Sequence, residues 1–126
     1  MGPIVHSEWP LTPQVFSQVT RLRRMLRIDL ETPETATVLM VLSGDLDYTS
    51  AAQLGDVPLE PGLSRIDLDL GGLSFIDSSG LAALIRLHHR AAEARAALQL
   101  TALTPYLRNL LRMTALDRMF TLPPQP

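Results

Sequence analysis

Two short stretches of this chain gather the residues able to do chemistry. One is Ser43-Gly44-Asp45-Leu46-Asp47-Tyr48-Thr49, the other Phe75-Ile76-Asp77-Ser78-Ser79-Gly80-Leu81. Both mix carboxylates with hydroxyls, and both follow an apolar run and open a helical pattern. A hydroxyl at Ser78 or Ser79 falls where a helix N-cap belongs, able to accept from the free backbone N–H groups of the first turn. The same place suits a phosphate: a phosphoserine at a helix N-terminus meets free N–H donors and a favourable dipole. Gly80 keeps the turn open. Ser-Ser-Gly alone also fits a plain cap with no function.

What the chain lacks narrows the choice. It has 126 residues and no Cys, and all 11 of its basic residues are Arg. Zero Cys excludes a disulfide scaffold, thiolate zinc, Fe–S clusters and a cysteine nucleophile. Without Lys there is no Schiff base, no Walker-type phosphate loop and no lysine base. Serine hydrolysis fits poorly, because Ile76-Asp77-Ser78-Ser79-Gly80 lacks the first Gly of a nucleophile elbow. His88 and His89 lie about three turns along the same helical pattern, out of reach of Ser78. His88 falls on the apolar stripe and reads as a packed residue, His89 as a solvated one. Three His without Cys argue against a metal site, and no other cofactor is expected.

Elements must hold these stretches in place. Leu26, Ile28 and Leu30 alternate with Arg27, Asp29 and Glu31. Ile66, Leu68 and Leu70 alternate with Arg65, Asp67 and Asp69, and Leu98 and Leu100 with Gln99 and Thr101. Each reads as a strand with one buried face. Thr37 to Leu42 is apolar throughout after Thr37, the pattern of a central strand covered on both faces. Phe120-Thr121-Leu122 reads as a short final edge strand. Helical spacing predicts a short helix from Thr49 to Leu54, one over 79–95 and one over 105–115. The second carries Leu81, Leu84, Ile85, His88 and Ala92 on its apolar stripe, and the third Leu107, Leu110, Leu111 and Ala115. Strands alternating with helices imply an α/β fold with a small, mostly parallel sheet of four to five strands and helices mainly on one face. Partners of such sheets are met at the carboxyl ends of the strands. The fold therefore brings Asp45, Asp47 and Asp77 to one end.

Charge is unevenly spread. Residues 1–27 carry four Arg and one acid, residues 28–80 ten acids and one Arg, and residues 81–126 six Arg and two acids. No segment is basic enough for a general nucleic-acid binder. No apolar run reaches the roughly 18 residues of a membrane span. The start lacks a signal-peptide stretch, so a cytoplasmic place is expected. Residues 1–25 stand apart as an extension, with a helix entry at Thr12-Pro13 and Val15, Val19 and Leu22 at helical spacing; Met25 is a candidate alternative start. The domain is expected over 26–122, with a tail at 123–126.

Ile76-Asp77-Ser78-Ser79-Gly80-Leu81 resembles the signature of the STAS domain family of anti-sigma-factor antagonists. Gly44-Asp45-Leu46-Asp47 is similar to that family's second motif, Gly-acid-Leu-Asp. Leu103-Thr104-Pro105 with Leu110-Leu111 and Thr114-Ala115-Leu116 resembles its third, a Ser/Thr-Pro helix start followed by Thr-Gly-Leu. The likeness spans about Leu26 to Leu122. It implies a small cytoplasmic switch with no catalytic residue, acting in transcription regulation and stress responses. The unphosphorylated form would bind an anti-sigma factor with serine kinase activity and free a sigma factor; a PP2C-type phosphatase would restore it. By motif position the phosphorylation site is Ser78, and the partner surface holds Asp45, Asp47, Asp77, Ser79 and Gly80. Two positions depart from the family: Ala115 stands where Gly is usual, and Arg95-Ala96-Ala97 where Gly is frequent.

Two rival readings remain. Within the family, the domain could be a scaffold subunit of a stress-sensing complex or a soluble accessory subunit of a transporter. Outside it, Asp45-Leu46-Asp47-Tyr48-Thr49 is similar to the Asp-x-Asp-x-Thr nucleophile loop of haloacid-dehalogenase-type phosphatases. That chemistry wants a cation, usually Lys, to shield the aspartyl-phosphate and a second acidic pair for Mg²⁺. The chain has no Lys and no such later pair, so charge stabilisation would be incomplete.

Overall fold

The structure is a computed structural model that describes residues 23–125. The helix entry expected at Thr12-Pro13 lies outside the described residues. Four strands form one sheet in the order β1-β2-β3-β4: β1 Arg27–Glu34, β2 Thr37–Leu46, β3 Arg65–Ile76 and β4 Ala97–Ala102. β1 and β2 are an antiparallel hairpin, while β2, β3 and β4 run parallel. Three helices connect and follow them: α1 Ala51–Gly55, α2 Ser78–Glu93 and α3 Pro105–Met113, with a 3₁₀ turn at Leu116–Arg118. This is the expected α/β sheet with its helices on one face.

Strand alternation builds the core. Met40, Leu42, Ile66, Leu68, Leu70 and Leu100 point to the helix side and are buried. Leu84 and Leu87 of α2 and Leu107 and Leu111 of α3 close over them. Each such side chain contributes about 1.5–3 kcal/mol relative to exposure. The opposite face carries Asp29, Glu31, Leu39, Val41, Asp67 and Asp69 in register across β1 to β3.

Several expectations need correction. β2 is not covered on both faces, since Leu39 and Val41, on the helix-free face, are only half-buried. Its apolar run instead packs beside the charged side chains of its neighbours. β2 and β3 also outrun their predicted ends, to Leu46 and Ile76. The parallel ladder runs past Gly44 and Gly71-Gly72 through Ser43↔Gly72, Gly44↔Leu73 and Leu46↔Ile76, with slips in register. The predicted strand Phe120–Leu122 is absent. Phe120 is buried against the His88 ring, centroids 5.4 Å apart, and Pro123 and Pro124 have no N–H to extend a ladder. The buried stripe of α2 is Gly80, Ala83, Leu84, Leu87 and Ala91, turned from the predicted one. Its small residues bring the helix close to the sheet, leaving Leu81, Ile85 and His88 half-buried and Ala92 exposed. Ala115 is exposed as well, outside the buried face of α3.

Candidate functional site

The two chemistry-bearing stretches meet at the carboxyl ends of β2 and β3. Asp77 joins them. It is the N-cap of α2, where Ser78 or Ser79 was expected, and its Oδ1 accepts from Gly80 N at 2.9 Å. Its Oδ2 accepts from the Tyr48 N–H at 3.1 Å, across to the β2–α1 loop. One carboxylate thus caps the helix and fixes the neighbouring loop. The Asp77 N–H donates in turn to the Leu46 carbonyl at 3.3 Å.

Two glycines make these approaches possible. A Cβ on Gly80 would stand 2.2 Å from the Leu46 carbonyl oxygen, so α2 can start against β2 only with Gly there. Gly44 has a φ of 90°, and a Cβ on it would lie 2.2 Å from the Met25 carbonyl oxygen. That contact admits the chain segment preceding β1. Asp45 N donates to Arg24 O at 2.9 Å, and Arg24 N donates back to Asp45 Oδ2 at 3.1 Å.

With Asp77 as cap, Ser78 is the first residue of the helix and is exposed. Its hydroxyl is not used in capping, so the helix start does not depend on it. Ser79 is half-buried and Gly80 buried. The exposed surroundings are aromatic. Tyr48 is 75% exposed, and Tyr106 at the start of α3 is 48% exposed with its hydroxyl donating to Ile76 O at 3.3 Å. The only two tyrosines of the chain therefore flank Asp77-Ser78. Sequence reasoning passed over both, although exposed tyrosines are frequent anchors in protein interfaces.

Asp45 and Asp47 have a different place from the one expected of partner-surface acids. They are 1% and 4% exposed. Asp45 Oδ1 accepts from the Ser74 hydroxyl at 2.8 Å, and its Oδ2 is the Arg24 acceptor. Asp47 Oδ1 accepts from the Thr49 N–H at 3.0 Å and the Thr49 hydroxyl at 2.7 Å, and Oδ2 from Arg23 at 2.7 Å. Arg23 also donates to the Thr49 hydroxyl. Ser50 fills the turn, its hydroxyl donating to Asp45 O at 2.8 Å and accepting from Asp47 N at 3.0 Å. Burial pushes the Asp47 pKa up. The hydrogen bonds from Thr49, the Arg23 guanidinium and the Ser50 hydroxyl outweigh it and hold the carboxyl below its ordinary value. Both acids shape the loop rather than present charge. Asp45 has no open line to a substrate, so the arrangement does not support an aspartyl nucleophile.

The family model described as "Mlab, STAS domain" matches residues 28–123. The chain belongs to the STAS domain family. No curated protein matches it significantly. Among solved structures, this STAS domain is similar to an anti-sigma factor antagonist from Mycobacterium paratuberculosis. Identity is 21%, coverage 80% of this chain and 87% of that one, and the TM-score 0.67. It is also similar to the anti-sigma factor antagonist SpoIIAA in its unphosphorylated form, with 20% identity, 79% and 89% coverage and a TM-score of 0.60. The murine anion transporter Slc26a9 matches as well. Identity is 13% and the TM-score 0.58, over 90% of this chain but 22% of the transporter. At these identities the likeness establishes the fold. Among the described residues no helix is long and apolar enough to cross a membrane.

Proposed function

We propose that this STAS domain is an anti-sigma-factor antagonist, a cytoplasmic protein-binding switch rather than an enzyme, controlled by phosphorylation of Ser78. The observation that carries this reading is Ser78 itself, exposed at the first position of α2 while Asp77 does the capping. A kinase can modify that hydroxyl without undoing the helix start. The partner is an anti-sigma factor with serine kinase activity, which the unphosphorylated protein holds so that a sigma factor is free. It docks over Tyr48, Ser78, Ser79 and Tyr106, with Asp77, Asp45, Asp47 and Gly80 setting the shape beneath. A phosphate brings about −1.5 to −2 charge and new bulk beside the Asp77 carboxylate, and so blocks flush docking. A PP2C-type phosphatase reverses the block.

The test is incubation with anti-sigma kinases and ATP, followed by phosphosite mapping. Label is expected on Ser78 and none on Ser78→Ala, which keeps binding the kinase. Undiminished labelling of Ser78→Ala would reject the assignment. A second reading, a soluble accessory subunit of a transporter, draws support from the match to the Slc26a9 domain. It predicts co-purification with a membrane transporter and no dependence on phosphorylation.

A further inference from the structure

We propose that the free edge of β1 is a self-association surface, on which a second copy of this chain adds its own β1 antiparallel about a two-fold axis through Asp29. β1 borders the sheet, and among the described residues no strand pairs with its outer side. Unpaired edge N–H and C=O groups are a template for a further strand.

The edge sequence is complementary to itself. Reversed about Asp29, Arg27-Ile28-Asp29-Leu30-Glu31 sets Arg27 opposite Glu31 of the second copy, and Glu31 opposite that copy's Arg27. Ile28 meets Leu30 in the same way, again twice. Strand alternation puts the charged pairs on the helix-free face and the aliphatic pairs on the core side. Only Asp29 faces its like. Arg27 Nε already holds Asp29 Oδ2 at 2.9 Å, so each of those carboxylates comes with its own cation.

Two further observations define the patch. Leu30 is 48% exposed although it lies on the core side, paired with the fully buried Met40. It lines an apolar groove with Val38, Pro61 and Leu63 that a second β1 would border. The edge also has a built-in end. The ladder to β2 slips between Glu31 and Glu34, and Pro33 in between offers no N–H. Five residues of pairing make a small interface, hence a weak and reversible dimer. β2 stands between β1 and the strand that leads to Ser78, so the two Ser78 surfaces stay free.

Sedimentation velocity of the full chain over about 1–500 µM tests this, in the range suited to a small interface. A concentration-dependent monomer–dimer equilibrium is expected. Arg27→Glu or Glu31→Arg each turns two attractive pairs repulsive and should weaken the dimer about tenfold. The double reversal should restore it. The chain has no Cys, which gives a second readout. Asp29→Cys should cross-link to itself with a short bifunctional thiol reagent, while Gln99→Cys on the opposite edge strand should not. A monomer at every concentration, a dimer indifferent to the reversals, or equal cross-linking at 29 and 99 would each overturn the proposal.

Discussion

At the scale of single residues, carboxylates do structural work that their sequence context advertises as surface chemistry. Asp47 is the clearest case. Its burial costs free energy that four donors recover, and the net effect is a lowered pKa. A group whose folded pKa lies below its unfolded value stabilises the fold above the unfolded value, and this is lost as pH falls through the folded one. Asp47 should therefore stabilise the domain at neutral pH and cease to do so as pH drops below the ordinary carboxylate range. Urea midpoints measured from about pH 6 to pH 3, spanning ordinary carboxylate titration, check this. The wild type should lose stability on acidification more steeply than Asp47→Asn, and parallel curves would reject it. Arg23 is half-exposed, so solvent screens its share and Arg23→Gln should matter less. The sequence shows that Asp45 and Asp47 sit beside a strand end. It does not show that they are buried, because Arg23, Arg24 and Ser74, their partners, come from remote segments.

Elements show the same division between what local pattern reveals and what packing decides. Strand alternation and the helix starts near Ser78 and at Thr104-Pro105 are legible in the sequence, and their order alone points to the fold class; that Asp77 is the cap is not. The stripe of α2 departs from its large-aliphatic pattern because Gly80, Ala83 and Ala91 are small enough to let the helix approach the sheet. The two departures from the family pattern land on meaningful positions. Arg95 follows the cap of α2 with a φ of 59°, and Ala115 follows the cap of α3 with a φ of 60°. Around Arg95 the Ala96 N–H reaches Ala91 O at 2.9 Å and the Arg95 N–H reaches Ala92 O at 3.0 Å, the two bonds of a Schellman ending. The left-handed conformation there disfavours any residue with a Cβ. Ala115→Gly and Arg95→Gly should each stabilise the domain by about 0.5–1 kcal/mol, since relief of the Cβ clash exceeds the extra chain entropy of Gly. Thermal unfolding reads the change directly. A lowered midpoint in both variants would mean that the left-handed residues are not strained.

For the whole molecule, the helix-free face of the sheet carries Asp29, Glu31, Asp67 and Asp69 together with Arg27 and Arg65, which pair with Asp29 and Asp67. Of the acids concentrated in residues 28–80, Asp45, Asp47 and Asp77 meet at the Ser78 end, where the first two are buried. Asp45 and Asp47 are consumed inside the loop, while Asp29, Glu31 and Asp69 lie on or at the edge of the helix-free face. The arginines of residues 81–126 belong to the helical layer, where Arg90 reaches the Gly55 and Val57 carbonyls and Arg108 the Pro123 carbonyl. The Ser78 surface lies at the end of these layers and is held from several sides. Asp77 caps α2, the Leu46 carbonyl abuts Gly80, Tyr48 N–H is tied to Asp77, and the Tyr106 hydroxyl reaches Ile76 O. None of these contacts uses the Ser78 hydroxyl. A phosphate placed there displaces no bond of this frame and stands at the N-terminus of α2, whose dipole favours it and offsets the Asp77 carboxylate beside it, so the frame is expected to hold. Phosphorylation of Ser78 should act by local obstruction. Backbone amide NMR shifts of the phosphorylated and unmodified protein should differ around residues 46–50, 77–82 and 104–107 and coincide through the second half of α2 and all of β1. Changes spread through Leu84 to Glu93 would instead require the helix to shift on its bed, and the switch would then be conformational.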